Sequence, residues 1–177
     1  MSIDLHKDYF ALFELPRSYR IDREALERRY LQLQQQVHPD RHAHLPDAER
    51  RRALQWATRV NEGFQTLRRS LARARYLLDL AGVDAALETN TAMSPEFLME
   101  QMEWREAVSE AHQAGDVDEL EHLHRRLRSA ALTVEDELAV LFDDRPDLDA
   151  AAETVRRLMF LEKLDQEIDE ALAALES

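Results

Sequence analysis

The sequence predicts an all-α protein made of two helical domains, and three observations support this. Only 3 Gly and 5 Pro occur among 177 residues, which favours long helices with short connections. Apolar residues recur at spacings of three and four along most of the chain, as on one face of an α-helix. Residues 1–80 hold 15 Lys/Arg and 11 Asp/Glu, whereas residues 81–177 hold 8 and 25. This unequal charge favours two modules with different partners.

The composition also excludes several classes of protein. The chain has no cysteine, so disulfides, thiolate metal sites and cysteine nucleophiles are ruled out. No apolar run approaches the roughly 20 residues that cross a bilayer, and the N-terminus resembles neither a secretion signal nor an organellar presequence. We therefore expect a soluble cytoplasmic protein without a membrane anchor. Nucleic-acid binding is disfavoured because the basic half is only mildly basic and has no aromatic platform.

The first domain is predicted to begin with a short helical segment over residues 8–15, which Pro16 closes. Asp22 is a suitable N-cap for the next helix. That helix has an apolar stripe at spacings of four, three and four: Leu26, Tyr30, Leu33 and Val37. We expect it to end near Val37 or His38, because proline disfavours the α conformation in the residue that precedes it.

The tripeptide His38-Pro39-Asp40 follows this helix directly and is predicted to form an exposed loop tip. Such a tip usually serves recognition, since it contributes little to a core. After the loop, Asp47 is predicted to cap a third helix with a second apolar stripe: Ala53, Ala57, Val60, Phe64 and Leu67. The two stripes predict an antiparallel helix hairpin. A further helix over residues 72–82 should end at Gly82.

Residues 83–93 show weak periodicity and are predicted to form a linker. Ser94 and Pro95 then mark a helix start, with serine at the cap and proline at the first helical position. Three long helices are predicted after the linker, over residues 94–114, 117–142 and 148–175. Their short connections predict an antiparallel three-helix bundle.

The helix at 94–114 has apolar residues on two faces. Its core face is predicted to contain Phe97, Gln101, Trp104, Val108 and Ala111. The other side combines Leu98, Met99 and Met102 with Glu103, Glu106 and Glu110. Unbranched methionines among carboxylates are typical of an adaptable protein-binding surface. Coverage by the first domain or by a second copy of the chain are the alternatives. Phe160 lies off the core stripe of the last helix and is predicted to extend this surface as an exposed aromatic residue.

Three segments of the chain resemble a known family. YFALFELP, the helix that ends in LQQQVHPDR, and VNEGFQTLRRSLARARYLL resemble a J domain, the module with which co-chaperones engage DnaK-type chaperones. FLMEQMEWRE and the acidic helices after it resemble the iron–sulfur co-chaperones of the HscB type. The resemblance divides the chain into a J domain (1–82), a linker (83–93) and a C-terminal three-helix scaffold-binding domain (94–177).

The resemblance implies a function and two sets of site residues. It implies a J domain that stimulates ATP hydrolysis by an HscA-like chaperone, and a bundle that binds an IscU-like iron–sulfur scaffold protein. Residues implied for chaperone binding are Arg28, Arg29, His38, Pro39, Asp40 and Arg41. Residues implied for scaffold binding are Leu98, Met99, Met102, Glu103, Glu106 and Phe160. No catalytic residue and no cofactor are implied, and a monomer is expected.

Two readings of the histidines are less favoured. As an acid–base pair, His38 and Asp40 would lack a pocket, a third orienting group and a nucleophile. A metal site would use His38, His42 and His44, or His122 and His124. Of the first set only His38 and His42 would share a helix face, and Pro39 lies between them. We expect no carboxylate cluster to complete either site. Two other functions also stay open. One is a J-domain protein whose acidic bundle binds an unrelated client, and the other is a purely structural helical adaptor.

Overall fold

The computed structural model describes residues 4–84 and 93–177, which are helical and contain no strand. The chain divides into two compact units, residues 1–77 and 78–177. Most of the predicted linker, residues 85–92, lies outside the described residues, so the predicted domain limits stay a prediction. No helix in the described ranges is both long and apolar enough to cross a membrane.

The first unit is built on an antiparallel pair of helices, as predicted. Its helices are α1 (Tyr9–Leu12), α2 (Arg23–Val37), α3 (Pro39–His42), α4 (Asp47–Arg68) and the start of α5 (Ser70–Leu80). The two predicted stripes face each other: the residues that become buried are Leu26, Leu33, Val37, Ala53, Val60, Phe64 and Leu67. Tyr30 is half-buried, stacks on Phe64 with ring centroids 3.9 Å apart, and donates a hydrogen bond to Asn61 Oδ1 (2.8 Å).

The first helix is shorter than the predicted segment over residues 8–15. It begins after Asp8, whose carboxylate accepts hydrogen bonds from the Ala11 N–H (2.9 Å) and from Arg17 (2.6 Å). Burial raises the pKa of Asp8, but these hydrogen bonds outweigh burial and hold its pKa below the ordinary value. Glu14 has a positive φ of 56°, a conformation that cannot continue a right-handed helix.

Two further helix boundaries in the first unit can be compared with the sequence. The predicted N-cap Asp22 is confirmed, because its side chain accepts from the Ala25 N–H (3.0 Å). The prediction for Asp47 is wrong by one residue: Pro46 is the N-cap of α4. The Pro46 carbonyl already accepts from Arg50 N (3.0 Å), so Asp47 lies inside the first turn, where its carboxylate pairs with the Arg50 guanidinium.

Gly63 allows α4 to approach α1 closely. A Cβ atom at this position would lie 2.8 Å from the Tyr9 ring and 2.9 Å from the Phe13 ring, and Phe13 is fully buried. We expect Gly63→Ala to lower the free energy of unfolding by about 1–3 kcal/mol, because the rings must shift in a packed core. Chemical denaturation of the whole chain measures this, and Leu54→Ala is the control because Leu54 is 62% exposed on the same helix. An unchanged midpoint for Gly63→Ala would contradict the close approach.

The last helix of the first half, α5, follows α4 after one extended residue. Arg69 has φ −94° and ψ 130°, and the new helix runs to Leu80. Gly82 ends it with a φ of +73°, while the Val83 N–H donates to the Leu78 carbonyl (2.9 Å). The predicted glycine C-cap is confirmed, and the helix starts two residues earlier than predicted.

The second unit is a three-helix bundle of α6 (Pro95–Ala114), α7 (Val117–Ala139) and α8 (Leu148–Glu176). Ion pairs define the helix directions. Arg157 of α8 lies 3.8 Å from Glu100, near the start of α6, and 3.2 Å from Glu137, near the end of α7. Farther along α8, Glu167 meets Arg105 (3.2 Å). The first and third helices therefore run parallel and α7 runs against both, which confirms the predicted bundle.

The ends of α6 match the sequence signals closely. The Ser94 side chain accepts from the Phe97 N–H (3.2 Å), Pro95 occupies the first turn, and Gly115 ends the helix with a φ of +64°. The next helix was predicted to reach residue 142, but α7 ends at Ala139. A π-helical turn, Val140–Asp144, follows it.

Candidate functional site

The His38-Pro39-Asp40 tripeptide forms a helical turn rather than an open loop. His38 ends α2 and also caps α3: its Nδ1 accepts a hydrogen bond from the Asp40 backbone N–H (3.2 Å). Pro39 starts the turn, and the Asp40 side chain is 91% exposed. A ring nitrogen that accepts a hydrogen bond carries no proton, so Nε2 of a neutral His38 is a donor. The tip can therefore offer a donor and a carboxylate to a partner.

His42 fastens this turn to the preceding helix. Its Nε2 lies 3.0 Å from the Gln36 carbonyl oxygen, which is one of the last carbonyls of α2 and has no partner within that helix. A histidine side chain near a helix C-terminus commonly satisfies such a carbonyl. The contact ties α3 to the end of α2, so the backbone of the tip is held against that helix.

An open groove of about 360 Å³ lies beside the tip. Its lining combines His38 and Arg41 with Leu31, Gln34 and Gln35 of α2. Leu31 is 60% exposed and was not predicted from the sequence to be a site residue. Its position off the buried stripe of α2 could have indicated an exposed leucine. The groove can take an apolar side chain between a guanidinium and an imidazole.

The three arginines predicted around the tip differ in their surroundings. Arg28 is well exposed and lies 3.8 Å from Glu24, one turn earlier. Arg29 is turned the other way, since its guanidinium pairs with Glu14 (3.3 Å) and its side chain is only 24% exposed. Arg41 is exposed as well, so Arg28 and Arg41 are more accessible to a partner than Arg29.

The second candidate site is a surface of α6, here called the Leu/Met surface. It consists of Leu98, Met99 and Met102 with Glu103 and Glu106 beside them. The three apolar side chains are 45%, 61% and 70% exposed, and both glutamates are exposed. Phe97, Val108 and Ala111 of the predicted core face are buried, whereas Gln101 and Trp104 are half-buried. The predicted two faces of this helix are present.

Phe160 is a correction to the predicted surface. Its side chain is only 8% exposed, so the expectation that it lies exposed on α8 was wrong. The ring meets Phe97 edge to face, with centroids 6.0 Å apart, and the Arg105 guanidinium covers it at 5.4 Å. Phe160 therefore supports α6 from beneath and does not present its ring to a partner.

The histidines of α7 give a second correction. We expected no carboxylate cluster around them, but His124 Nε2 lies 2.8 Å from Asp165 Oδ1 and 3.6 Å from Asp169 Oδ1. The two aspartates are one turn apart on α8. His122 is exposed and is not part of this cluster. The sequence alone gave no sign of the contact, because it depends on how α7 and α8 align.

A helix hairpin with this tip, followed by a three-helix bundle, defines the protein class as a J-domain protein with a helical C-terminal domain. The solved structure of the chaperone HscB from Vibrio cholerae has the same fold: TM-score 0.84, 32% identity, 96% of this chain and 99% of that chain covered. The crystal structure of human co-chaperone protein HscB matches with TM-score 0.88 and 28% identity, over 94% of this chain and 83% of that chain.

Sequence comparison gives the family. The co-chaperone protein HscB homolog of Azoarcus sp. (strain BH72) is 67% identical over the full length of both chains. The family profile described as the HSCB C-terminal oligomerisation domain matches residues 93–169, which include the Leu/Met surface. The chain belongs to the HscB co-chaperone family.

Proposed function

We propose that this protein is a co-chaperone of iron–sulfur cluster assembly in the bacterial cytoplasm. The first unit would stimulate ATP hydrolysis by an HscA-like chaperone of the DnaK type, while the Leu/Met surface binds an IscU-like scaffold protein. One observation carries the proposal: two exposed surfaces of different chemistry, the tip and the Leu/Met surface, lie on separate units of one chain. Membership in the HscB co-chaperone family supports it.

The tip supports the chaperone half of the proposal. Its exposed carboxylate, Asp40, can accept a charge-assisted hydrogen bond from a partner arginine. Arg41 in the groove and Arg28 elsewhere on α2 provide positive charge, which can steer the first unit toward an acidic surface. The chaperone hydrolyses the ATP, and this protein would act by binding the hydrolysis-competent state more tightly than other states.

The Leu/Met surface supports the scaffold half. Methionine side chains adapt to a partner surface, and exposed apolar residues rimmed by polar ones are typical of protein-interaction sites. Glu103 and Glu106 favour a partner with basic residues around an apolar patch, because charge complementarity selects the partner and fixes its register. An unrelated client with the same chemistry is the alternative, and direct binding assays with purified scaffold distinguish the two.

The proposal is tested by the steady-state ATPase rate of the cognate HscA-like chaperone. We expect the full chain to raise this rate, and the scaffold to raise it further when both proteins are present. If the protein leaves the rate unchanged with and without scaffold, the co-chaperone function is wrong. If it raises the rate but the scaffold neither binds nor adds to it, the bundle serves another client.

A second role for the Leu/Met surface is pairing of two copies of the chain. It is suggested by the description of the matching family as an oligomerisation domain. We nevertheless expect a monomer, because a two-fold interface on this surface would bring the Glu103 and Glu106 carboxylates of both copies into one small area. Sedimentation velocity at several concentrations measures this. A dimer in the wild type that Met102→Ala converts to monomer would assign the surface to self-association.

A further inference from the structure

The His124 cluster joins two long helices of the second unit. His124 belongs to α7, whereas Asp165 and Asp169 lie four residues apart on one face of α8. One imidazole nitrogen and one oxygen from each carboxylate lie within 4.8 Å of one another. This grouping brings together three ligand atoms of the kinds that bind divalent cations.

The two central atoms of this cluster are buried without a hydrogen bond. Nε2 of His124 and Oδ1 of Asp165 are shielded from solvent, and neither has a hydrogen-bond partner among the described residues. The two atoms lie 2.8 Å apart and form an ion pair when His124 is protonated, but no hydrogen bond joins them. Leaving a buried nitrogen and a buried carboxylate oxygen unsatisfied is costly. A cation bound to both atoms would satisfy them together.

The charge of the cluster fits a divalent ion. A neutral imidazole and two carboxylates carry a charge of −2, which one divalent cation cancels. Arg128 places its guanidinium 3.9 Å from Asp165 Oδ1, and its side chain is 66% exposed. It can therefore turn into solvent when an ion enters. The acidic second half of the chain would also concentrate cations near the site.

We propose that His124, Asp165 and Asp169 bind one divalent cation of the zinc class and thereby link α7 to α8. The mixed nitrogen and oxygen ligands disfavour calcium and magnesium, which prefer oxygen alone. Asp169 is the most exposed member, with 57% of its side chain accessible, so water can reach the ion and complete its coordination. This proposal does not depend on the chaperone or scaffold functions proposed above.

Zinc titration of the full chain tests the site. We expect the wild type to bind one more equivalent of Zn²⁺ by calorimetry than His124→Gln or Asp165→Asn, and Asp169→Asn to weaken this binding about tenfold. His122→Gln is the matched control, because His122 is exposed two residues from His124 on the same helix. It should bind zinc as the wild type does. Equal zinc stoichiometry and affinity in the wild type and His124→Gln would overturn the proposal.

Thermal unfolding provides an independent readout that also reports whether the variants fold. Zn²⁺ at about a hundred times its dissociation constant should raise the Tm of the wild type and of His122→Gln by roughly 5–10 °C. The Tm of His124→Gln should not respond. If that variant without zinc unfolds as the wild type does and zinc stabilises both equally, the ion binds elsewhere and the proposal fails.

Discussion

Replacing His38 by glutamine will abolish stimulation of the chaperone ATPase while scaffold binding stays unchanged. His38 has two roles that one substitution removes: its Nδ1 caps α3 by accepting from Asp40 N (3.2 Å), and its Nε2 is an outward donor. Loss of one hydrogen bond in a desolvated interface commonly weakens binding by about 1–3 kcal/mol. Loss of the cap, which lets the tip become disordered, should weaken binding to the chaperone further. We therefore expect no stimulation even at about ten times the protein concentration at which the wild type gives half-maximal stimulation.

One further variant separates these roles, and a second serves as a control. His38→Asn keeps a side-chain oxygen suited to the N-cap position but removes the imidazole donor. If the chaperone binds that donor, His38→Asn should lose stimulation as completely as His38→Gln. His44→Gln changes an exposed histidine outside the tip and should stimulate normally. Full stimulation by both His38 variants would exclude the tip as the chaperone-binding site.

Truncating the Leu/Met surface will weaken scaffold binding without changing the basal stimulation of the chaperone. The apolar side chains of Leu98 and Met102 are accessible, so their removal leaves the bundle core intact. Central apolar anchors in interfaces commonly contribute about 1–2 kcal/mol each, so Leu98→Ala/Met102→Ala should raise the Kd about 100-fold. Calorimetry with purified scaffold measures the affinity.

The bundle offers a close control for this experiment. Leu132 of α7 is 63% exposed, comparable to Met102, and lies on a different helix, so Leu132→Ala should bind the scaffold as the wild type does.

Glu103→Gln/Glu106→Gln should weaken binding most at low salt, because exposed charges are screened as ionic strength rises. Scaffold binding at full strength by the Leu98/Met102 double variant would remove this surface from the function.

Local patterns in the sequence predicted much of this structure. Proline and the three-four apolar spacing located the end of α2 and the two stripes, because both act within a few residues. The same is true of the Ser94-Pro95 start and the Gly115 end of α6, where caps and backbone conformation are local. The two faces of α6 also followed from helical periodicity alone.

The features that sequence reasoning missed depend on contacts between helices. A helical wheel placed Phe160 outside the core, but the wheel does not show that Phe97 and Arg105 of α6 cover that side of α8. The approach of His124 to Asp165 and Asp169 depends on the axial alignment of α7 and α8. Leu31 was overlooked because its exposure matters only together with the residues that form the groove, and the sequence does not show that groove.

The contacts of the His38 and His42 rings with the backbone have a consequence for binding affinity. Both rings contact backbone atoms of α2 or α3, so the two imidazoles are positioned before a partner arrives. Ordering a side chain during association costs about 0.5–1.5 kcal/mol for each residue, and a flexible loop of the same sequence would lose that energy from its affinity. The conformational entropy of these two side chains is therefore lost during folding and not during binding.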